Sequence, residues 1–155
     1  MKYHMSVALK QVYFGGITVQ VPEIWQVETE ELLEADGQTS STISINGTGN
    51  DLRSIDLSYG PMPDGSDAYA EACGTYEEIM GDDDLDVNDE PIMCFRFQDS
   101  EAYGFNVYTD EGLPCFFFCI GTEGKLLTVL VSAPDNEELQ NLIDFTEEYL
   151  SLDKA

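Results

Sequence analysis

The most apolar stretch of the chain is Leu113–Ser132, two hydrophobic runs around Gly121-Thr122-Glu123-Gly124. Glycine supplies the positive φ that a tight turn needs, so the stretch is predicted as a β-hairpin. Side chains alternate between faces along a strand. Cys115, Phe117 and Cys119 then oppose Phe116, Phe118 and Ile120, and Leu127, Val129 and Val131 oppose Leu126, Thr128 and Leu130. Both faces are apolar, so both need cover, which takes two further layers.

The same periodicity places the other elements. Val7–Phe14 and Ile17–Val21 flank Gly15-Gly16 as a first hairpin, stopped by Pro22 and followed by Trp25. Thr29–Ala35 fits a helical turn or an irregular edge. After a polar loop over Gly37–Ser41, Thr42–Asn46 and Leu52–Tyr59 are predicted strands. In the second, Leu52, Ser54, Asp56 and Ser58 face away from Arg53, Ile55, Leu57 and Tyr59, which suggests a half-exposed strand near a sheet edge. Gly60–Gly65 is a loop, a contact surface or simply the way into a helix. Ser66 is the expected cap of that helix, Asp67–Met80, with Tyr69, Ala72, Cys73, Tyr76, Ile79 and Met80 on one face. Gly81 ends it. Ile92–Gln98 and Ala102–Thr109 form a hairpin across Asp99–Glu101, with Met93, Phe95 and Phe97 in one apolar row and Tyr103, Phe105 and Val107 in another. A last helix starts at Pro134-Asp135, with Asp135 and Glu138 at capping-box spacing. Its predicted stripe is Leu139, Leu142, Ile143, Thr146, Tyr149 and Leu150.

Two helices and about seven strands joined by short turns predict an α+β fold over residues 1–155, a single domain. The expected form is an α/β/α sandwich, a mostly antiparallel sheet of six to seven strands with a helix on each face.

Charge narrows the function. Six Lys plus Arg stand against 31 Asp plus Glu, a formal −25. Such a surface repels nucleic-acid backbones and anionic membranes, and it favours basic proteins, divalent cations or plain solubility. No apolar run approaches the ~18 residues of a membrane span, and no targeting segment is evident, so a cytoplasmic location is expected. The four cysteines are expected reduced and mostly buried. On one strand, Cys115 and Cys119 stand about 13 Å apart, too far for a disulfide.

Candidate chemistry is sparse. Asp82, Asp83, Asp84, Asp86, Asp89 and Glu90 form an acidic loop, the candidate contact for a basic partner or a cation. Asp84, Asp86 and Asn88 match the first three ligand positions of a calcium loop. The match then stops, because Asp89 stands where Gly is required and Phe95 where a bidentate Glu is required. A zinc site lacks ligands, with one His in the chain. That residue, His4, precedes the first strand and offers no evident nucleophile pair. Carboxylate pairs for a hydrolase cannot be singled out among 31 acids. Trp25 is expected in packing and Arg96 in a pair with a nearby carboxylate. The expectation is a non-catalytic protein-binding domain without cofactor or metal, with a cation-binding domain and a carboxylate-dependent hydrolase as alternatives.

The opening hairpin followed by Val21-Pro22-Glu23-Ile24-Trp25 resembles the start of PsbP/Mog-like domains. The element order that follows is similar over nearly the whole chain, and within that fold the chain resembles small uncharacterised bacterial proteins. The resemblance implies an α/β/α sandwich with an antiparallel sheet. Such domains include a Ran-binding protein, a photosystem extrinsic subunit and adaptor chaperones for secreted effectors, so it implies protein binding of an adaptor, chaperone or immunity-like kind. No functional motif matches, and no site residue is implied.

Overall fold

A computed structural model describes residues 8–33, 37–80, 92–109 and 111–152. It is a mixed α and β structure with ten strands in two antiparallel sheets and two helices among those residues. The larger sheet has seven strands, ordered β3 (Gln26–Leu33), β4 (Thr39–Asn46), β5 (Ser54–Pro61), β9 (Lys125–Ser132), β8 (Pro114–Thr122), β7 (Ser100–Tyr108) and β6 (Met93–Phe97). The smaller is β1 (Leu9–Phe14), β2 (Ile17–Pro22) and β10 (Leu150–Leu152). The helices are α1 (Ala68–Met80) and α2 (Asn136–Tyr149).

The β8–β9 hairpin lies inside the large sheet, and every residue from Pro114 to Ile120 is buried. Its two faces divide as alternation requires. Phe116, Phe118 and Ile120 join Leu127, Val129 and Val131 in one cluster with Leu139, Leu142 and Phe145 of α2 and Ile17, Val19 and Val21 of β2. Phe117 and Cys119 join a second cluster with Phe105 and with Ala68 and Ala72 of α1. Burying a side chain as large as Phe118 contributes about 1.5–3 kcal/mol, so both clusters weigh in stability. Gly104 on β7 lies opposite Phe118. A Cβ there would collide with the Phe117 carbonyl oxygen and sit 2.6 Å from Phe118 Cβ, so glycine is what allows the strands to close.

Several expectations change. The first hairpin does not join the main sheet. It pairs through β2 with β10, the segment directly after α2. Leu150, expected on the helical stripe, is therefore a strand residue opposite Val19. Thr29–Ala35 resolves into β3, an edge strand, as far as Leu33. The strand predicted as Leu52–Tyr59 is not near an edge, because β5 is paired on both sides, with β4 and β9. Its polar row, Ser54, Asp56 and Ser58, arises because α1 packs chiefly over β7 and β8. The β6–β7 turn is two residues, Gln98 and Asp99, both at positive φ, so Ser100 and Glu101 belong to β7. The cap of α1 is Asp67, whose carboxylate accepts from the Ala70 amide at 2.8 Å, while Ser66 donates to Glu71. Ile79 is 46% exposed. For α2, Asp135 is the cap as expected, accepting from the Glu138 amide at 2.8 Å. Phe145 completes its buried face.

Candidate functional site

Asp82, Asp83, Asp84, Asp86, Asp89 and Glu90, the residues the sequence singles out, lie outside the described residues, as does His4. Among the described residues no group of three or more His, Cys, Asp or Glu is placed to hold a metal ion. No helix there is long and apolar enough to cross a membrane.

Among the described residues a dense polar cluster forms around Trp25. The indole is buried, in the turn between β2 and β3. Its Nε1 donates to Asp51 Oδ2 at 3.2 Å. Arg53 grips the same carboxylate with Nε at 2.9 Å and a terminal nitrogen at 2.7 Å, and stacks 5.0 Å from the centre of the Trp25 ring. Its other terminal nitrogen lies 3.8 Å from Glu138 of α2. The Lys10 ammonium donates to the Trp25 carbonyl at 2.7 Å. Arg53 holds the Asp51 carboxyl below its ordinary value, chiefly by hydrogen bonding and against the cost of burial. A carboxylate held in this way is a weak base. The cluster ties the β4–β5 loop, the β2–β3 turn and the start of α2 together, and Trp25 packs as expected. Sequence reasoning passes over Asp51 and reads Glu138 only as part of a helix cap, since neither spacing nor periodicity connects them to Trp25.

Among the described residues Arg96 is placed on a carbonyl and on no carboxylate. Its guanidinium donates to the Asp99 carbonyl at 3.0 Å across the tight turn. Lys125 lies over the Tyr59 ring at 5.2 Å. The Gly60–Gly65 segment is partly strand, and the Met62 amide donates to the Gly124 carbonyl at 2.9 Å, which fixes the route into α1 to the β8–β9 turn.

Among the described residues two clefts stand out. One, of about 530 Å³, lies where the β6–β7 and β8–β9 turns meet β10, with Phe97, Ile120, Leu127 and Leu150 below and Gln98, Ser100 and Glu123 at the rim. The other, of about 630 Å³, lies between β6 and α2 and is lined by Met93, Phe95, Phe116, Leu139 and Ile143 with Cys94, Asn106 and Gln140. The first contains one carboxylate, Glu123, and the second none. Both suit an apolar side chain better than acid–base work, which needs two groups in opposed environments.

Of the cysteines, Cys115 and Cys119 are buried, Cys73 is half-buried and Cys94 is exposed, and all four are free thiols. Burial, with Glu71 adding to it, pushes the Cys119 thiol up to about 12, and burial also raises Cys115. These are inert core thiols.

No protein-family model matches the chain, and no curated protein matches it by sequence.

Proposed function

We propose that this chain is a non-catalytic protein-binding domain whose acidic surface receives a basic partner. The observation that carries the reading is charge that the chain cannot neutralise by itself. With six cations for 31 acids, 25 carboxylates remain even if every cation pairs. Several described cations are also engaged elsewhere: Lys10 and Arg96 donate to carbonyls, and Lys125 stacks on Tyr59. Exposed acids occur on β3, on both helices and at the turns. A field of one sign attracts a partner of the other and accelerates encounter.

The parity split of β8, with α1 in one cluster and α2 in the other, supports a three-layer reading with a helix on each face. That arrangement is the one expected of a PsbP/Mog-like sandwich, with the small sheet sharing a layer with α2. A cytoplasmic location fits the free thiols.

Association driven by this charge is screened by salt, because the Debye length falls from about 10 Å at 0.1 M to 3 Å at 1 M. Immobilised protein is expected to retain basic proteins from a lysate at low salt and to release them at high salt. Retention that ignores salt, or the absence of any retained basic protein, counts against the reading.

A further inference from the structure

Among the described residues four strands have a neighbour on one side only: β3 and β6 in the large sheet, β1 and β10 in the small one. An open edge offers unpaired N–H and C=O groups to any strand that can approach, unless something blocks it. The four edges are not equivalent. β10 has three residues. β6 has five and carries Arg96, and β1 carries Lys10. β3 has eight, registered on β4 from Gln26–Asn46 to Leu33–Thr39 without a bulge, and contains no proline. All its side chains are exposed except the half-buried Val27.

Of the devices that protect an edge, the described residues give β3 charge alone. Glu28, Glu30 and Glu31 lie on it with no Lys or Arg, and Leu32 and Leu33 follow, 41% and 77% exposed. Charge is a selective guard. A second copy of β3 laid alongside would bring carboxylates against carboxylates, and like charges across a strand pair destabilise it. A strand with Lys or Arg at intervals meets the opposite situation. Its cations face Glu28 and Glu30 on one side of the sheet and Glu31 on the other, and apolar residues at one end reach Leu32 and Leu33.

We propose that β3 is the docking edge for an extended basic segment of a partner protein, which adds to the large sheet as an eighth strand. The proposal rests on the acidic-surface reading above and gives it a location. Main-chain hydrogen bonds supply the affinity in such strand addition, and the side chains alternating along the edge supply the selection.

The probe is a fluorescent peptide of alternating Lys and Val, as long as β3, titrated against the full chain at low salt. A control peptide is methylated at every backbone nitrogen, keeping the charge and losing the ladder donors. The first peptide is expected to bind and to slow amide hydrogen exchange over residues 26–33. The combined substitution Glu28→Gln, Glu30→Gln and Glu31→Gln changes only exposed side chains, so folding is retained. It is expected to weaken binding about tenfold, because the lysines of an alternating strand all lie on one face and lose their two cross-strand partners Glu28 and Glu30, while Glu31 no longer adds to the field at the edge. The methylated peptide is expected to lose at least as much. Equal, salt-sensitive binding of both peptides, unaffected by the triple substitution, would overturn the docking edge and leave the acidic-surface reading standing. If neither peptide binds at low salt, both fail. A wild-type dimer held through β3 would also overturn the proposal, since the edge would then be filled by a second copy.

Discussion

Two aspartates five residues apart, Asp51 in the β4–β5 loop and Asp56 on β5, carry opposite consequences for stability. Asp56, on β5, is raised above the ordinary carboxyl value of 3.8 by burial, with the bond from Ser44 opposing. Its ionised form is therefore less welcome in the folded state, and it opposes folding fully above the folded value and not at all well below 3.8. Asp56→Asn is expected to raise the melting temperature at neutral pH, with the gain vanishing in acid. Asp51 is lowered, chiefly by Arg53, so its contribution is present above 3.8 and is lost as pH falls through the folded value. Asp51→Asn is expected to cost stability at neutral pH, with that cost disappearing in acid. Melting curves of both variants across that range check the two signs together. The thiols divide as sharply. In the native protein a thiol reagent is expected to label exposed Cys94 well before Cys115 and Cys119, which react only on unfolding. Mass spectrometry of the labelled peptides reads the order. Alternation along the chain already places Cys115 and Cys119 on one face of β8. It does not expose Cys94, because that depends on β6 being the last strand.

Between elements, Gln98 does the most with one side chain. It sits at φ 53°, a left-handed conformation that a non-glycine residue adopts at a cost. Its amide donates to the Glu147 carboxylate at 2.9 Å, and its side-chain nitrogen reaches the Glu147 carbonyl at 2.7 Å and the Leu150 carbonyl at 2.5 Å. Carbonyls at the end of a helix otherwise lack partners, so Gln98 latches the β6–β7 turn to the end of α2 and the start of β10. Gln98→Gly relieves the backbone but loses the side-chain bonds, and a net loss of about 1–2 kcal/mol is expected. Asp99 sits at φ 71° in the same turn and offers Arg96 only its carbonyl, so Asp99→Gly is expected to be neutral or stabilising. Urea unfolding of the two variants separates latch from strain. The hairpins themselves were legible, since a period of two bounded by turn-forming residues such as Gly, Asp and Ser is a local signal. The exact turn was not. Gln98 is an unusual residue for positive φ, and the latch that retains it there comes from residues far along the chain. The stripe of α2 was legible too, and Phe145 lies at the same spacing as the residues read into it.

At the scale of the whole molecule, the net charge of −25 repels itself. Monovalent salt screens that repulsion, so the melting temperature is expected to rise with ionic strength. Calcium at matched ionic strength is expected to add nothing more, because the loop from Asp82 to Glu90 lacks the glycine and the bidentate glutamate of a calcium loop. A larger shift with calcium would instead show that the folded chain binds the cation, by mass action. The acidic balance is plain in the composition. Trp25, Asp51, Arg53 and Glu138 meeting at one point is not, because three separate segments supply them.

By itself the sequence determined the elements that depend on neighbours a few residues away. It placed the β8–β9 hairpin with two apolar faces, the polar and apolar rows of β5, and the start of α2. These follow from side-chain periods of two and 3.6 and from caps and turns, all local properties of the backbone. Tertiary structure alone decided that β1 and β2 leave the main sheet for β10, that β5 lies inside between β4 and β9, and that β3 ends the sheet with its carboxylates exposed. The reason is that ladder hydrogen bonds join backbone to backbone and carry no residue code. A strand's partner is chosen by how the whole set of apolar faces can be covered at once, and that sum is not written in any one segment.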